Sequence, residues 1–228
     1  MNDYDKLSSD EMHKVEEIRR KRINFMNEQS RKWKTLKANE VRLAGYKKFQ
    51  TLDGEGVRCS LYVSGCPFNC LDCYSPHAQN KNYGEILTDE KIEEILKDVS
   101  HPYNNGITFV GGEPMLSAER LYPIAKAVRD IGKTTWSYTG YTIEVLLDFP
   151  EDDPRRKFLN YLDVLIDGQF ITELRDAKNP PLFRGSSNQR IIDVQETLKR
   201  KCLTLWKNND IILSNVKEWG EILCKKMK

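Results

Sequence analysis

Three cysteines lie close together in the first half of the chain. Cys66, Cys70 and Cys73 have the spacing C-x3-C-x2-C and follow a short β-type run that ends at Val63. Thiolates are soft ligands that suit zinc and iron–sulfur clusters. Because all three thiols fall within eight residues directly after a strand, they can point into one small volume. The spacing therefore predicts a metal centre.

Two kinds of metal centre fit these cysteines. His77 extends the pattern to C-x3-C-x2-C-x3-H, which would give a Cys3His zinc site. A structural zinc site has four protein ligands, but four ligands within twelve residues leave little chain to form a tetrahedral cage. If His77 is not a ligand, three cysteines leave one metal position open to another molecule, which is typical of a catalytic centre. The spacing alone leaves both open.

A second element with chemical potential follows the next apolar run. Residues 107–110 lead into Gly111, Gly112, Glu113 and Pro114. Glycines let the backbone approach a ligand closely and adopt dihedral angles that other residues avoid, and proline stiffens the exit from the turn. On its own, this segment could also be a plain turn between a strand and a helix.

Two further polar groups stand near predicted strand ends. Ser137 and Thr139 close the run 134–139, where they could contact a ligand or cap the following helix. The polar run from Arg184 to Arg190 lacks the spacing of a nucleotide-binding P-loop, which excludes that function. It could order a loop over a ligand or a partner, or form a surface turn.

Strands that alternate with helices must position these residues. Apolar patterns predict strands at 43–49, 59–63, 107–110, 134–139, 163–166 and 190–194, with Cys59 as a packed strand residue. Helices are predicted at 88–99, 117–131, 142–147 and 195–201. This order indicates an α/β fold with a parallel sheet.

The two ends of the chain differ from its centre. Residues 1–50 carry 13 Lys and Arg against 8 Asp and Glu, and residues 199–228 carry 8 against 3, whereas the centre is acidic. Residues 8–39 read as one long helix with a capping-box start, and 211–213 and 219–227 as a strand and a helix. We expect a helical extension at 1–40, a body at 41–199 and a basic extension at 200–228 packed on or beside the body. The basic ends could touch an acidic partner or be solvated helix faces.

Length and composition exclude several classes of protein. The 228 residues can bury a core as one domain with appendages, and the chain is 39% hydrophobic and 31% charged, as globular proteins are. No run of about 18 apolar residues occurs, so no membrane span is expected. The polar, acidic first residues are not a signal peptide. We therefore expect a cytoplasmic protein, in which clustered cysteines bind metal more often than they form disulfides.

Several motifs together resemble a known family. C-x3-C-x2-C is the signature of radical S-adenosylmethionine (SAM) enzymes. The longer runs resemble the activating enzymes of glycyl-radical proteins, and within them the branch that activates anaerobic ribonucleoside-triphosphate reductase. The resemblance covers residues 42–199. Its runs are DGEGVRC at 53–59, VSGCPFNCLDCY at 63–74, GGEP at 111–114, WSYTGY at 136–141, DVLIDG at 163–168 and RGSSNQR at 184–190.

The resemblance implies a fold and a reaction. The fold would be an incomplete (β/α) radical-SAM barrel, and the chain length suggests six or fewer strands. Reductive cleavage of SAM at a 4Fe–4S cluster would yield a 5′-deoxyadenosyl radical, which makes a glycyl radical on anaerobic (class III) ribonucleotide reductase. A flavodoxin or ferredoxin would donate the electron. Because hydrogen abstraction needs no acid or base, no catalytic side chain is expected beyond the cluster ligands.

The resemblance also implies site residues. The cluster ligands would be Cys66, Cys70 and Cys73. The expected SAM contacts are Asp72, Cys73, Tyr74, Gly111, Gly112, Glu113, Ser137 and Thr139.

Two alternatives to this function remain open from the sequence. An activase of another glycyl-radical enzyme, such as pyruvate formate-lyase, would use the same chemistry. A Cys3His zinc module that binds RNA through the basic ends is a different class, but it leaves the segment 111–114 and the alternating strands and helices without a role. We therefore expect no nucleic-acid partner.

Overall fold

The computed structural model describes residues 9–175 and 182–206. The strand and the helix predicted at 211–213 and 219–227 lie outside the described residues. The strands are β1 Arg42–Gln50, β2 Arg58–Val63, β3 Glu85–Ile86, β4 Gly106–Gly111, β5 Thr134–Tyr138, β6 Val164–Asp167 and β7 Arg190–Asp193. The helices are α1 Ser9–Ser30, α2 Asp89–Val99, α3 Ala118–Asp130, α4 Ile143–Asp148, α5 Pro154–Asn160 and α6 Val194–Arg200.

All seven strands form one sheet in the order β3-β1-β2-β4-β5-β6-β7. β2, β4, β5 and β6 are parallel neighbours, as the βα pattern predicts. β1 and β3 on one side and β7 on the other are antiparallel additions. The fold is therefore mixed α/β, and the expectation of six or fewer strands is wrong. The length argument counted only βα units, whereas an antiparallel strand needs no crossover helix and adds few residues.

The two faces of the sheet have different coverings. Alternate residues of the parallel strands, such as Leu61, Phe109 and Leu165, are buried in one large core with the apolar sides of the helices. The opposite face, which we call the inner face, carries a smaller cluster around Trp136 and Ile166. Cys59 is fully buried on the helix side of β2, as predicted.

A buried arginine closes the inner face at the amino ends of the parallel strands. Arg58, 1% exposed, donates to the side-chain oxygens of Thr108 and Thr134 and to the carbonyls of Ile107 and Thr134. Its guanidinium lies 5.2 Å from the centroid of Trp136. Burial lowers the pKa of Arg58 to about 10, which leaves the group charged at neutral pH. The hydrogen bonds of Arg58 therefore hold the amino ends of the parallel strands together, at the end of the sheet opposite to their carboxyl ends.

The N-terminal helix ends earlier than predicted. α1 stops at Ser30 rather than near residue 39, and the chain then runs in a turn and an extended segment towards β1. Here the backbone bonds to the body of the protein, since Leu36 N–H donates to the carbonyl of Leu116 at 2.7 Å. Tertiary contact therefore overrides the helical periodicity that continues through Trp33 and Leu36.

The chain after α6 returns to the sheet. Leu205 forms a β-bridge with Ile192, and Trp206 N–H donates to the carbonyl of Ile191 at 2.9 Å. The Trp206 indole N–H donates to Glu55 at 2.8 Å, so this segment reaches the inner face. Of the helices that the structure describes, none is both long and apolar enough to cross a membrane.

Candidate metal centre

Four segments meet at the carboxyl ends of the parallel strands. The cysteine loop, residues 64–75, follows β2, and residues 111–113, Thr139 and Gly168 end or follow β4, β5 and β6. Glu113 N–H donates to the carbonyl of Gly65 at 2.8 Å, and Thr139 N–H donates to that of Ile166 at 2.9 Å. The structure therefore brings the sequence-predicted segments to one edge of the sheet, where open α/β sheets bind their ligands.

The cysteine loop curls because two residues take left-handed conformations. Asn69 (φ 47°) lies between the first two cysteines of the motif, and Asp72 (φ 54°) lies between the last two. Asn and Asp tolerate this region better than other non-glycine residues. The loop base is tied down by Cys66 N–H, which donates to the carbonyl of Gln79 at 3.0 Å. Two left-handed residues within four positions turn the chain into a compact loop.

The three thiols of this loop are free and partly buried. Burial raises the pKa of Cys66, and the charge of Glu113 raises it further; burial also raises the pKa of Cys70. These two thiols are therefore protonated at neutral pH, and a metal must displace their protons to bind. Three soft sulfur donors on one loop suit an iron–sulfur cluster with one open position.

The loop as it stands is not a closed metal cage. Across residues 9–175 and 182–206, no three His, Cys, Asp or Glu side chains are gathered closely enough to hold a metal ion. A shared cluster would require the thiols of the loop to turn towards one another. Three thiols suit an iron–sulfur cluster. The final arrangement of these thiols would form when the cluster binds.

His77, the fourth ligand of the zinc alternative, lies in a short 3-10 turn after the loop. Its side chain is exposed and stacks on the ring of Tyr83, with centroids 5.6 Å apart and an interplanar angle of 24°. This ring contact gives the imidazole a packing partner on the surface.

Gly111, which ends β4, and Gly112, which follows it, allow the chain to lie close to the end of β2 and to the cysteine loop. Gly111 has φ 100°, and a Cβ there would lie 2.5 Å from backbone atoms of Val63. A Cβ on Gly112 would lie 2.6 Å from the carbonyl oxygen of Gly65 and 2.7 Å from that of Ala78. Only residues without a side chain allow this approach. Gly111 thus approaches the end of β2 closely, and Gly112 approaches the cysteine loop at Gly65.

Glu113 links the ends of two neighbouring strands. Its carboxylate is 1% exposed and accepts hydrogen bonds from Met115 N–H (2.9 Å), Thr139 Oγ1 (2.7 Å) and Gly140 N–H (2.8 Å). Burial raises the pKa of Glu113 to about 7, against these three hydrogen bonds, which favour the charged form. The carboxylate therefore holds Thr139 and the turn after β5 against the turn after β4.

The remaining predicted SAM contacts occupy different environments. Ser137 pairs in register with Phe109 and Leu165, so it faces the helices and is fully buried. Its hydroxyl donates to the carbonyl of Tyr138. Asp72 and Tyr74 are exposed, and the ring of Tyr74 meets Phe170 at a centroid distance of 5.6 Å. The sheet thus turns the side chain of Ser137 away from the inner face.

A segment after β6 supports the cysteine loop from the other side. Gln169 Nε2 donates to the carbonyl of Phe68 at 3.3 Å, and Thr172 Oγ1 donates to that of Leu71 at 2.7 Å. A cavity of about 300 Å³ lies between this segment, the loop and α1, with Cys70 and Phe170 in its lining. The supporting segment was not identified from the sequence, because amide and hydroxyl contacts to carbonyls leave no spacing pattern.

The polar run 184–190 holds that supporting segment in place. Gln189 accepts from the backbone N–H groups of Gly185 and Ser186 and donates to the carbonyl of Gly168 at 2.9 Å. Asn188 donates to the carbonyl of Gln169 at 2.8 Å. The run is a hydrogen-bonded loop that positions residues 168–174, and through them the cysteine loop.

Comparison with known proteins decides the family. The family model of a 4Fe-4S single cluster domain matches residues 52–192. The anaerobic ribonucleoside-triphosphate reductase-activating protein of Haemophilus influenzae is 37% identical over 152 residues, which are 64% of this chain and 94% of that protein. Proteins of the same name from Escherichia coli K12 (32% over 151 residues, 63% and 93%) and phage T4 (34% over 145 residues, 61% and 86%) also match. The chain belongs to this family of reductase-activating proteins.

The 4Fe-4S domain contains the whole edge described above. Its range, 52–192, includes the cysteine loop, the glycine turn, Glu113 and the run 184–190. α1, β1 and the segment that ends at Trp206 lie outside it. The family assignment confirms the resemblance inferred from the motifs and favours an iron–sulfur cluster over zinc.

In this reductase-activating protein, the structure adds candidate ligand contacts on the inner face that were not singled out from the sequence. Tyr138 belongs to the inner-face cluster with Trp136 and Ile166. Tyr62 lies on β2, and its hydroxyl donates a hydrogen bond to the carboxylate of Asp53 at 2.6 Å. Strand alternation carried the needed signal, because the residues beside Ser137 must face the opposite way.

Proposed function

We propose that this protein activates an anaerobic ribonucleotide reductase by forming a glycyl radical on it. In this proposal Cys66, Cys70 and Cys73 hold a 4Fe–4S cluster, and SAM occupies its open position. The carrying observation is the placement of the cysteine loop at the carboxyl ends of four parallel strands, in a chain of the reductase-activating family.

The cofactors would carry the chemistry and the chain would position them. When bound, the reduced cluster would supply the electron for cleavage of the sulfonium C–S bond of SAM, and this chemistry would remove a hydrogen atom from a glycine of the reductase. The cysteine loop would fix the cluster, and residues 168–174 would fix the loop through its carbonyls. No side chain needs to donate or accept a proton in this step.

SAM would lie against the inner side of the same edge. Backbone groups of residues 111–113 and the carboxylate of Glu113 would accept hydrogen bonds from the amino group of SAM. Asp72, Cys73 and Tyr74 would border the adenine, mainly through their backbone, and Thr139 would act through Glu113. Tyr138 is a better side-chain contact than Ser137, because it lies in the inner-face cluster.

The proposed function also implies a fold and domain boundaries. We infer an incomplete (β/α) radical-SAM barrel at 41–199, with added segments at 1–40 and 200–228. Support comes from four parallel strands that are neighbours in sequence order and from helices on the opposite face. A low-potential donor such as flavodoxin or ferredoxin would reduce the cluster, and a reducing compartment, the cytoplasm, would keep it active.

Anaerobic purification tests the cluster. We expect about four irons and four sulfides per chain, a brown protein, and SAM cleavage after reduction. His77→Ala should retain this cluster, whereas it would destroy a Cys3His zinc site. Stoichiometric zinc without SAM cleavage would overturn the proposal.

A second experiment tests the partner. The reduced protein and SAM are incubated with an anaerobic ribonucleotide reductase or with pyruvate formate-lyase, and the glycyl radical is followed by EPR. We expect the radical on the reductase. A radical on pyruvate formate-lyase alone would keep the chemistry and correct the partner.

A further inference from the structure

A tryptophan before the matched domain packs on the cysteine loop. Trp33 meets Phe68 edge-on with centroids 4.8 Å apart, and Tyr141 at 6.0 Å. Phe68 lies between the first two cysteines of the motif, is 5% exposed and meets Tyr141 at 5.5 Å. It also covers Gly140, where a Cβ would lie 2.6 Å from the phenyl ring. Phe68 is therefore the apolar anchor of the loop, and Trp33 is one wall of its pocket.

The backbone around Trp33 is fixed to the body of the protein. Arg155 Nη1 donates to the carbonyl of Trp33 at 2.8 Å, and Leu36 N–H donates to the carbonyl of Leu116 at 2.7 Å. The Leu36 side chain reaches the base of the loop, where a Cβ on Gly65 would lie 3.7 Å from it. Residues 33–36 thus contact the chain on both sides of Cys66.

α1 contacts the segment that supports the cysteine loop. Arg22 donates two hydrogen bonds to Glu173, at 2.9 and 3.0 Å. Glu173 follows Thr172, whose hydroxyl bonds to the loop at Leu71. Because the Arg22–Glu173 pair is exposed, it orients α1 rather than holding it strongly. The ring contacts of Trp33 and the two backbone hydrogen bonds of residues 33–36 attach the segment more closely to the body.

We propose that residues 22–36 are a positioning element for the cysteine loop, with Trp33 as its main positioning residue. The proposal rests on the proposed function for its cluster readouts. Its physical basis is that the loop must close around a metal, and that a pocket wall supplied by Trp33 limits how far Phe68 can move. The segment lies outside the matched 4Fe-4S domain, which begins at residue 52.

The test compares Trp33→Ala and Trp33→Phe with Trp206→Ala in the full chain. Trp206 is the matched control, because it is also a half-buried tryptophan on a segment outside the domain, with an edge-on contact to Trp136 at 5.9 Å. The readouts are iron release to a chelator and the EPR spectrum of the reduced cluster. We expect Trp33→Ala to release iron up to about tenfold faster and to broaden the spectrum, since an aromatic pair contributes up to about a factor of ten. Trp33→Phe should restore both readouts, and Trp206→Ala should match the wild type.

A readout without metal separates this proposal from the proposed function. In the metal-free chain, alkylation of Cys66 followed by mass spectrometry should be faster in Trp33→Ala than in the wild type, while alkylation of Cys59 is unchanged. If the wild type binds no cluster, the proposed function fails and this rate still decides the positioning role. If Trp33→Ala does not fold, Trp33→Leu takes its place. Wild-type iron release, spectrum and alkylation in the variant would overturn the proposal, even with a lowered melting temperature.

Discussion

The cysteines of this chain differ in what surrounds each thiol. Cys59 is buried in β2, where Tyr46 and Asn104 donate to its sulfur at 3.2 and 3.0 Å and its thiol donates to the carbonyl of Lys48 at 3.1 Å. Cys70 lines a cavity on a loop. A fully bonded thiol has a structural use, whereas a loop thiol beside a cavity remains available to metal.

The first prediction separates these uses. Cys70→Ser should lose most of the bound iron, because a hydroxyl is a poor ligand for this type of cluster. Cys59→Ser should keep the iron, since a hydroxyl can make the same hydrogen bonds as the thiol. Iron and sulfide content after anaerobic reconstitution is the measurement. Equal iron in the two variants would contradict the assignment of ligands.

The second prediction concerns the buried carboxylate of Glu113. Glu113→Gln replaces one carboxylate oxygen with an NH2 group that accepts no hydrogen bond, so either Gly140 N–H or Met115 N–H loses its acceptor. We expect the free energy of unfolding to fall by about 1–3 kcal/mol, the cost of a buried donor without a partner. SAM should also bind more weakly.

Urea unfolding and equilibrium SAM binding measure these two effects. Glu119→Gln, on the exposed first turn of α3, is the control and should change neither. An unchanged free energy of unfolding in Glu113→Gln would show that the hydrogen bonds to the replaced oxygen contribute little.

At the scale of elements, the turn after β4 and the cysteine loop fit together only without a side chain at Gly112. Gly112→Ala should displace the loop, because the new Cβ would lie 2.6 Å from the carbonyl oxygen of Gly65. We expect a reduced iron content. Gly132→Ala is the matched control: it has φ 74° and open space around it, so it should cost about 1 kcal/mol of backbone strain and leave the cluster intact. Iron content and urea unfolding of both variants check this pair.

Most elements follow from the sequence because their pattern and their burial agree. The parallel strands and α2, α3, α4 and α6 lie where periodicity puts them. α5 was missed although Asp153 caps it and Pro154 opens it, because its seven residues contain too few apolar positions for a period to show. β3 has two residues and exists only through pairing with β1. Short elements depend on neighbours that a local pattern does not contain.

At the scale of the whole molecule, one buried ion triad joins three elements. Arg190 of β7 bonds to Glu144 of α4 at 2.8 and 2.9 Å and to Asp167 of β6. Burial alone would raise the pKa of Glu144, but Arg190 holds it below its ordinary value; burial raises the pKa of Asp167 against the same attraction. Because the pKa of Glu144 is lower in the folded chain than its ordinary value of 4.5, its ionisation stabilises the fold at pH values above 4.5. This contribution is lost as the pH falls through the pKa of the folded state.

The fourth prediction removes the cation. Arg190→Met should lower the free energy of unfolding by about 3–5 kcal/mol at neutral pH, because it leaves two carboxylates without their partner. Deprived of Arg190, both carboxylates have raised pKa values in the folded state. Protonation of these carboxylates therefore recovers part of the lost stability. The difference in the free energy of unfolding between Arg190→Met and the wild type should become smaller as the pH is lowered.

Urea unfolding near pH 8 and near pH 5.5 measures that gap. Arg200→Met removes the same charge from an exposed position at the end of α6 and should change stability little at either pH. A gap that widens on acidification would contradict the triad.

The candidate site was predictable in its location but not in its contacts. The cysteine spacing and Gly111–Gly112 mark the right edge because soft ligands and close backbone approach leave local signatures. The turning of Ser137 towards the helices and the three bonds to Glu113 depend on strand register and on residues far along the chain. Such long-range pairings have no local period, so only the folded molecule contains them.

The docking of α1 has a consequence for the order of events during synthesis. Arg22 is made 151 residues before Glu173, its partner in the ion pair. At about 5–20 residues per second, translation of that interval takes roughly 8–30 s. The cysteine loop therefore leaves the ribosome well before α1 can settle beside it. A cluster delivered to the nascent chain would meet an open loop, and the first helix to be made would be among the last to dock.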